Sequence, residues 1–175
     1  MKKTITTSNK LLTILLMCFI VAANSSLASA QRKMHVWPPK SQKYIQSEIL
    51  AGINANIKIV DARVIAPDSK VKASFSQISS VITSAITQTY GNSFIDEQSD
   101  KKVEIILEAY EAVFYTGLWR ATTRYIVRIG EAEKTIEQTS SRFNVTGSSA
   151  GKKALIQSFS SANLDLFDFL NKNLK

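Results

Sequence analysis

The chain has 175 residues, a formal net charge of +8, 45% hydrophobic residues, and one cysteine and one histidine. That composition suits one globular domain and excludes a disulfide scaffold, a collagen-like repeat and a low-complexity chain. With so few histidines and cysteines, zinc and copper sites lack ligands, so no metal and no other cofactor is expected.

Lys2, Lys3 and Lys10 precede an uncharged apolar run, Leu11 to Ala23. Ala28-Ser29-Ala30 then supplies the small-x-small pattern of a signal-peptidase site, with Ala28 and Ala30 as its small residues. These parts make a secretory signal over residues 1–30, cleaved near Ala30. The apolar run is shorter than the roughly 20 residues of a membrane-spanning helix. Cys18 sits inside it, after Met17 and before Phe19, without the small preceding residue of a bacterial lipid-attachment site. Lipid anchoring there is not expected, and the expected location is periplasmic or secreted. Beyond residue 30 there is no cysteine, hence no disulfide and no thiolate nucleophile. The first thirty residues hold three lysines and no acid, so the remaining 145 carry +5. Such a charge favours anionic lipid or glycan surfaces. No basic run there exceeds two residues, and nucleic acid is not an expected partner.

Residues 31–52 read as an irregular N-terminal arm, because Trp37-Pro38-Pro39 forbids helix. Val36 and Trp37 are its apolar anchors for a groove or a sheet edge. A single α+β domain is expected over 53–175. Ile53, Ala55, Ile57 and Ile59 alternate with polar residues, which predicts a first strand over Ile53–Ile65. Ala66-Pro67-Asp68-Ser69 breaks it. Phe75, Ile78, Ile82, Ala85, Ile86 and Tyr90 form one stripe of a helix over Val71–Tyr90, stopped by Gly91. Phe94-Ile95 suggests a short strand before a polar turn over 96–102.

Val103–Phe114 and Leu118–Ile129 read as a hairpin with a three-residue loop, Tyr115-Thr116-Gly117. That loop places Glu104 opposite Arg128 and Glu108 opposite Arg124. It pairs Val103 with Ile129, Ile105 with Val127, Leu107 with Tyr125 and Val113 with Trp119 on the other face. A polar third strand over Lys134–Val145 is expected at a sheet edge. The last helix, Ala150–Asn173, carries Leu155, Phe159, Ala162, Leu166 and Leu170 on one stripe, with Leu164, Phe167 and Leu174 beside it. The predicted fold is α+β: a mostly antiparallel sheet of about four strands with two amphipathic helices packed on one face.

No catalytic set stands out. His35 lies in the arm without an acid or nucleophile in its segment, and the Asp96–Asp100 stretch lacks the glycine and closing glutamate of a calcium loop. Paired carboxylates for glycoside cleavage could be drawn from Glu104, Glu108 or Glu111, and the expected register pairs the first two with arginines, which makes them structural acids. The remaining binding candidates are Arg120, Arg124 and Arg128, spaced to share one sheet face, with Arg142 on the next strand. Arg120 is the one left without an expected partner. Phe167 and Leu174 are expected on the outward side of the last helix, and Trp37 in the arm completes the set.

Ile59-Val60-Asp61-Ala62-Arg63 after an alternating strand resembles the V-D-x-R strand end of the YajG family of small bacterial envelope lipoproteins. The amphipathic helix that follows, the V-x-I-x-L-x-A pattern from Val103 to Ala109 and the closing Leu/Phe helix resemble that family too. The resemblance spans residues 53–174 and implies an envelope location and a non-enzymatic role. Without a convincing lipid-attachment cysteine, this chain departs from it.

The expected function is that of an exported, periplasmic, non-enzymatic accessory or binding protein of the cell envelope. Its expected partner is an envelope or membrane protein, with anionic lipid and glycan surfaces as further candidates. The alternatives are a small hydrolase of envelope glycans using the strand glutamates and a carrier of an apolar ligand between helices and sheet.

Overall fold

The computed structural model describes residues 43–145 and 147–175, the side chain of Ser148 excepted. The expected signal with Cys18, Ala28 and Ala30 lies outside the described residues, as do His35 and Trp37. The elements run β1 (Asn56–Asp61), α1 (Phe75–Tyr90), β2 (Lys102–Tyr115), β3 (Leu118–Ile129), β4 (Ala132–Phe143) and α2 (Ser148–Asn173), with a short 3-10 turn at Asn92–Phe94. The strands form one sheet in the order β1-β2-β3-β4. β1 runs parallel to β2, because the crossover through α1 brings the chain back to the same end of the sheet. The other two pairings are antiparallel hairpins, so the sheet is mostly antiparallel and the fold is α+β.

Both helices contribute to one core. Ile78, Ile82 and Ile86 of α1 and Leu155, Phe159, Leu166 and Leu170 of α2 join Ile105, Leu107, Tyr125, Val127 and Ile136 of the sheet. Each fully buried side chain of this kind contributes about 1.5–3 kcal/mol. α1 begins with its apolar stripe, four residues after the expected Val71. Ser74 and Gln77 form a reciprocal capping box, with each side chain accepting the other's backbone N–H, and this sets the start at Phe75. Gly91, at φ 94°, ends the helix and donates its N–H to Thr87. Phe94-Ile95 adds no strand of its own, only a single bridge between Ala55 and Ile95.

β1 stops at Asp61, four residues short of the expected end. The Asp61 carboxylate accepts hydrogen bonds from the Arg63 guanidinium at 2.7 and 2.9 Å, and Arg63 also donates to the Ala73 carbonyl at 3.2 Å. This clamp pulls the chain off the ladder. The Ala62 N–H still bonds the Leu107 carbonyl, and the Lys70 N–H bonds the Ala112 carbonyl. Between those two bonds, residues 63–69 arch beside the second half of β2.

The hairpin departs from its expected register at the same level. Pairing from Val103↔Ile129 to Leu107↔Tyr125 is as predicted, including Glu104 opposite Arg128. A β-bulge between Leu107 and Ala109 then shifts the rest by one, giving Ala109↔Arg124, Val113↔Arg120 and Phe114↔Trp119. Glu108 therefore does not oppose Arg124, and Val113 does not oppose Trp119. One extra residue inverts the alternation of everything beyond it. Tyr110 and Ala112 point into the core, while Glu111 and Val113 lie on the other face. The loop shortens to two residues, Thr116 and Gly117, with φ of 32° and 81°, the positive pair that a tight hairpin turn needs. β4 forms the edge beyond β3, as expected, and starts two residues early at Ala132.

Candidate functional site

The sheet face away from the helices carries the predicted arginines together. Arg120, Arg124 and Arg128 alternate along β3 with the buried Ala121, Thr123, Tyr125 and Val127. Arg128 keeps its expected partner Glu104, whereas Arg124 does not meet Glu108. Arg124 binds Glu137 of β4, with Nη2 to Oε2 of 2.6 Å and Nε to the same oxygen of 2.9 Å. Arg128 binds Glu133 at 2.6 Å and Glu104 at 3.4 Å, and Glu104 also pairs with Lys58. Arg142 does not join this face. It opposes Trp119 and donates to Gln157 of α2 at 2.8 Å, on the helix side of the sheet. Arg120 is exposed, and its guanidinium makes no ion pair or hydrogen bond to a described residue.

Arg120 stands in a groove of about 510 Å3, formed where the 63–69 arch leaves the second half of β2 uncovered on this face. Ala109 and Val113 give it an apolar floor, Val64 and Ala66 line it from the arch, and Glu108, Glu111, Thr122 and Tyr115 supply polar groups. Its volume lies in the range of small-ligand clefts. Arg124 and Glu137 line it as an already satisfied pair. Glu111 makes no hydrogen bond to a described residue, and partial burial, with the Asp68 charge nearby, raises its carboxyl above the usual range while Arg124 partly opposes the rise. The Tyr115 hydroxyl reaches toward Asp68 at 3.5 Å. The rim is open on the side of the arch, where the apolar Val64 is 90% exposed.

Two expected binding residues are structural. Phe167 is 6% and Leu174 2% exposed, so neither is an outward residue of α2. The Tyr44 and Tyr90 rings meet Phe167 edge-on at 5.1 and 5.8 Å, which covers the flank of the helix. Leu174 lies just past the last turn, tied by its N–H to Leu170, and its carbonyl accepts the Lys101 ammonium at 2.8 Å. The exposed apolar residue of the last helix is Leu164, at 60%. It borders a shallower depression of about 550 Å3 beside Tyr44, Ile45 and Phe167.

No family model matches the chain, and no curated protein matches it. Two solved structures overlay in part. One is a protein described as uncharacterized, at TM-score 0.42 and 8% identity, covering 67% of this chain and 90% of that one. The other is a Caulobacter crescentus CB15 protein provisionally named a lipoprotein, at TM-score 0.34 and 9% identity, covering 64% of this chain and 89% of that one.

Among the described residues, no group of three or more His, Cys, Asp or Glu side chains is placed to hold a metal ion, and no helix is long and apolar enough to cross a membrane. Glu108 and Glu111, set aside at the sequence level, both line the groove with Arg120. Glu108 is on this face in either register, and only the bulge brings Glu111 there. Asp68, Val64 and Tyr115 carried no sequence signal toward a site, since their meeting depends on the arch. The V-D-x-R motif is the exception: it contains the Asp61–Arg63 clamp that raises the arch.

Proposed function

We propose that this is an exported, non-enzymatic accessory protein of the bacterial cell envelope that binds its partner through the groove on the helix-free face of its sheet. The observation that carries the reading is Arg120, a cation without a partner among the described residues, in a preformed groove beside the exposed Val64. Exposed cations are ordinarily solvated, but here the arginines at the next two positions of the stripe are each held by carboxylates. Support for export comes from the N-terminal sequence, with its basic start, apolar run and Ala28-Ser29-Ala30, and the likeness to the YajG family points the same way. The test is a photo-crosslinking residue placed at Thr122 in the native host, with a second at exposed Lys153 of α2 as control. An envelope component captured from Thr122 and not from Lys153 supports the reading. Equal capture from both, or capture from neither, overturns it.

A second reading has its own observation. Glu108 and Glu111 share the groove, and the raised carboxyl of Glu111 is the property a glycosidic general acid needs. Turnover of envelope glycan by the wild type, lost in Glu111→Gln, would replace the binding role with hydrolysis.

A further inference from the structure

The groove holds ionic groups of both signs that satisfy neither each other nor any neighbour. Glu108 and Glu111 make no ion pair or hydrogen bond to a described residue, and neither does Arg120. Arg124 and Glu137 neutralise one another and leave that balance unchanged. A purely anionic ligand would meet Arg120 but face two glutamates and Asp68. A purely cationic ligand would meet the glutamates and leave Arg120 unmatched. A ligand with an ammonium at one end and a carboxylate at the other satisfies both.

The spacing selects its length. Glu111 lies opposite Thr122, the next groove-facing residue of β3 after Arg120. Glu111 and Arg120 are therefore diagonal neighbours on one face, about 7–8 Å apart, with their Cβ atoms somewhat closer. An extended dipeptide spans about 7 Å. Val113, next to Glu111 on β2 and opposite Arg120, offers an apolar floor to its side chains, with Val64 as a wall. Resting on the binding role proposed above, we propose that the groove takes a short peptide with free ends, its carboxylate on the Arg120 guanidinium and its ammonium between Glu108 and Glu111. The guanidinium fork suits a carboxylate bidentately, and two carboxylates give an ammonium more than one acceptor.

The test is an NMR titration of the exported protein with dialanine, N-acetyl-dialanine and dialanine amide. Dialanine should move the amide signals of residues 109–113 and 120–122, and each capped form should bind about tenfold or more weakly. In Arg120→Gln, dialanine and its amide should bind alike. In Glu111→Gln, dialanine and its acetylated form should converge. Both side chains leave the core untouched, so an unchanged spectrum elsewhere certifies the fold of each variant. Equal binding of all three peptides, or no movement of the groove signals, overturns the inference. If dialanine fails while Thr122 still captures an envelope component, the binding role stands and the free-ended peptide is wrong. If dialanine binds as described and Thr122 captures nothing, the ligand stands and the envelope partner is wrong.

Discussion

Arg124 is held by Glu137 and not by Glu108: Nη2 lies 2.6 Å from Glu137 Oε2, across the β3–β4 ladder. The bulge at Glu108 decides this, because it sets Ala109 opposite Arg124. Both partners of the pair are nearly half exposed, so its contribution to stability is small. Glu137→Gln is expected to cost less than about 1 kcal/mol, with the difference vanishing toward 1 M salt. A double-mutant cycle by urea unfolding checks the assignment. Arg124 with Glu137 should show coupling, and Arg124 with Glu108 should show none.

Tyr110 is the residue the bulge turns inward, and its hydroxyl is buried without a hydrogen-bond partner among the described residues. Its ring packs edge-on against Phe159 at 5.5 Å, so the aromatic body belongs to the core while the hydroxyl gains nothing there. Tyr110→Phe keeps the ring and removes a desolvated polar group. The expected result is a stability gain of up to about 1 kcal/mol, read from the urea midpoint at constant slope. A loss would mean that the hydroxyl has a partner.

Glu111 gives the groove a pH dependence. Its carboxyl is raised by burial and by Asp68, so the folded state holds the proton more tightly than the unfolded chain does. A raised carboxyl stabilises the fold at pH below the ordinary glutamate range, and this contribution is lost as pH rises through the folded value. Glu111→Gln should therefore match the wild type in acid and exceed it at pH 7, by less than about 1 kcal/mol after solvent screening. Thermal unfolding between pH 3 and 7 reads the crossing, and a variant weaker than wild type at pH 7 would contradict it.

How much of this was legible depends on the range over which each feature is determined. The hairpin, its first five pairs, the arginine stripe and the edge position of β4 follow from alternation within a few residues. The bulge does not, because an alanine at 109 fits the inner face of a regular strand as well as the outer face of a bulged one. The burial of Phe167 is set at longer range. On a helical wheel the residue flanks the main stripe, and only Tyr44 and Tyr90, distant in sequence, bury it. The groove needed both kinds of information: the local Asp61–Arg63 clamp, hidden inside an alternating apolar stretch, and the bulge opposite its end.

The core itself is tied to the arm by a buried amide. Asn163, fully buried on α2, donates to the Tyr44 hydroxyl at 2.8 Å and accepts from the Tyr125 hydroxyl at 3.2 Å. Replacing it by leucine keeps the bulk but strands the Tyr125 hydroxyl in the core. A loss of about 2–3 kcal/mol is expected. Hydrogen exchange should show residues 44–50 opening first, whereas uniform destabilisation would argue that the arm is held by its apolar contacts alone.

The Asp61–Arg63 clamp is the most consequential pair, because it ends β1 and raises the arch beside the groove. The Arg63 side chain is only 8% exposed, so losing its carboxylate leaves a nearly buried cation. Asp61→Asn is expected to cost about 2 kcal/mol at neutral pH. Arg63 holds the Asp61 carboxyl below its ordinary range. That contribution is therefore present above the pKa of an unfolded aspartate and disappears as pH falls through the lower folded value. The variant and the wild type should thus converge in acid, the opposite of the Glu111→Gln pattern, in the same unfolding series. Loss of the clamp should also release the arch. In Asp61→Asn, the amide of Lys70, bonded to the Ala112 carbonyl, should exchange faster while that of Ile105 in the core of β2 keeps its protection. Equal acceleration at both positions would show that the clamp stabilises the whole sheet and does not shape the groove.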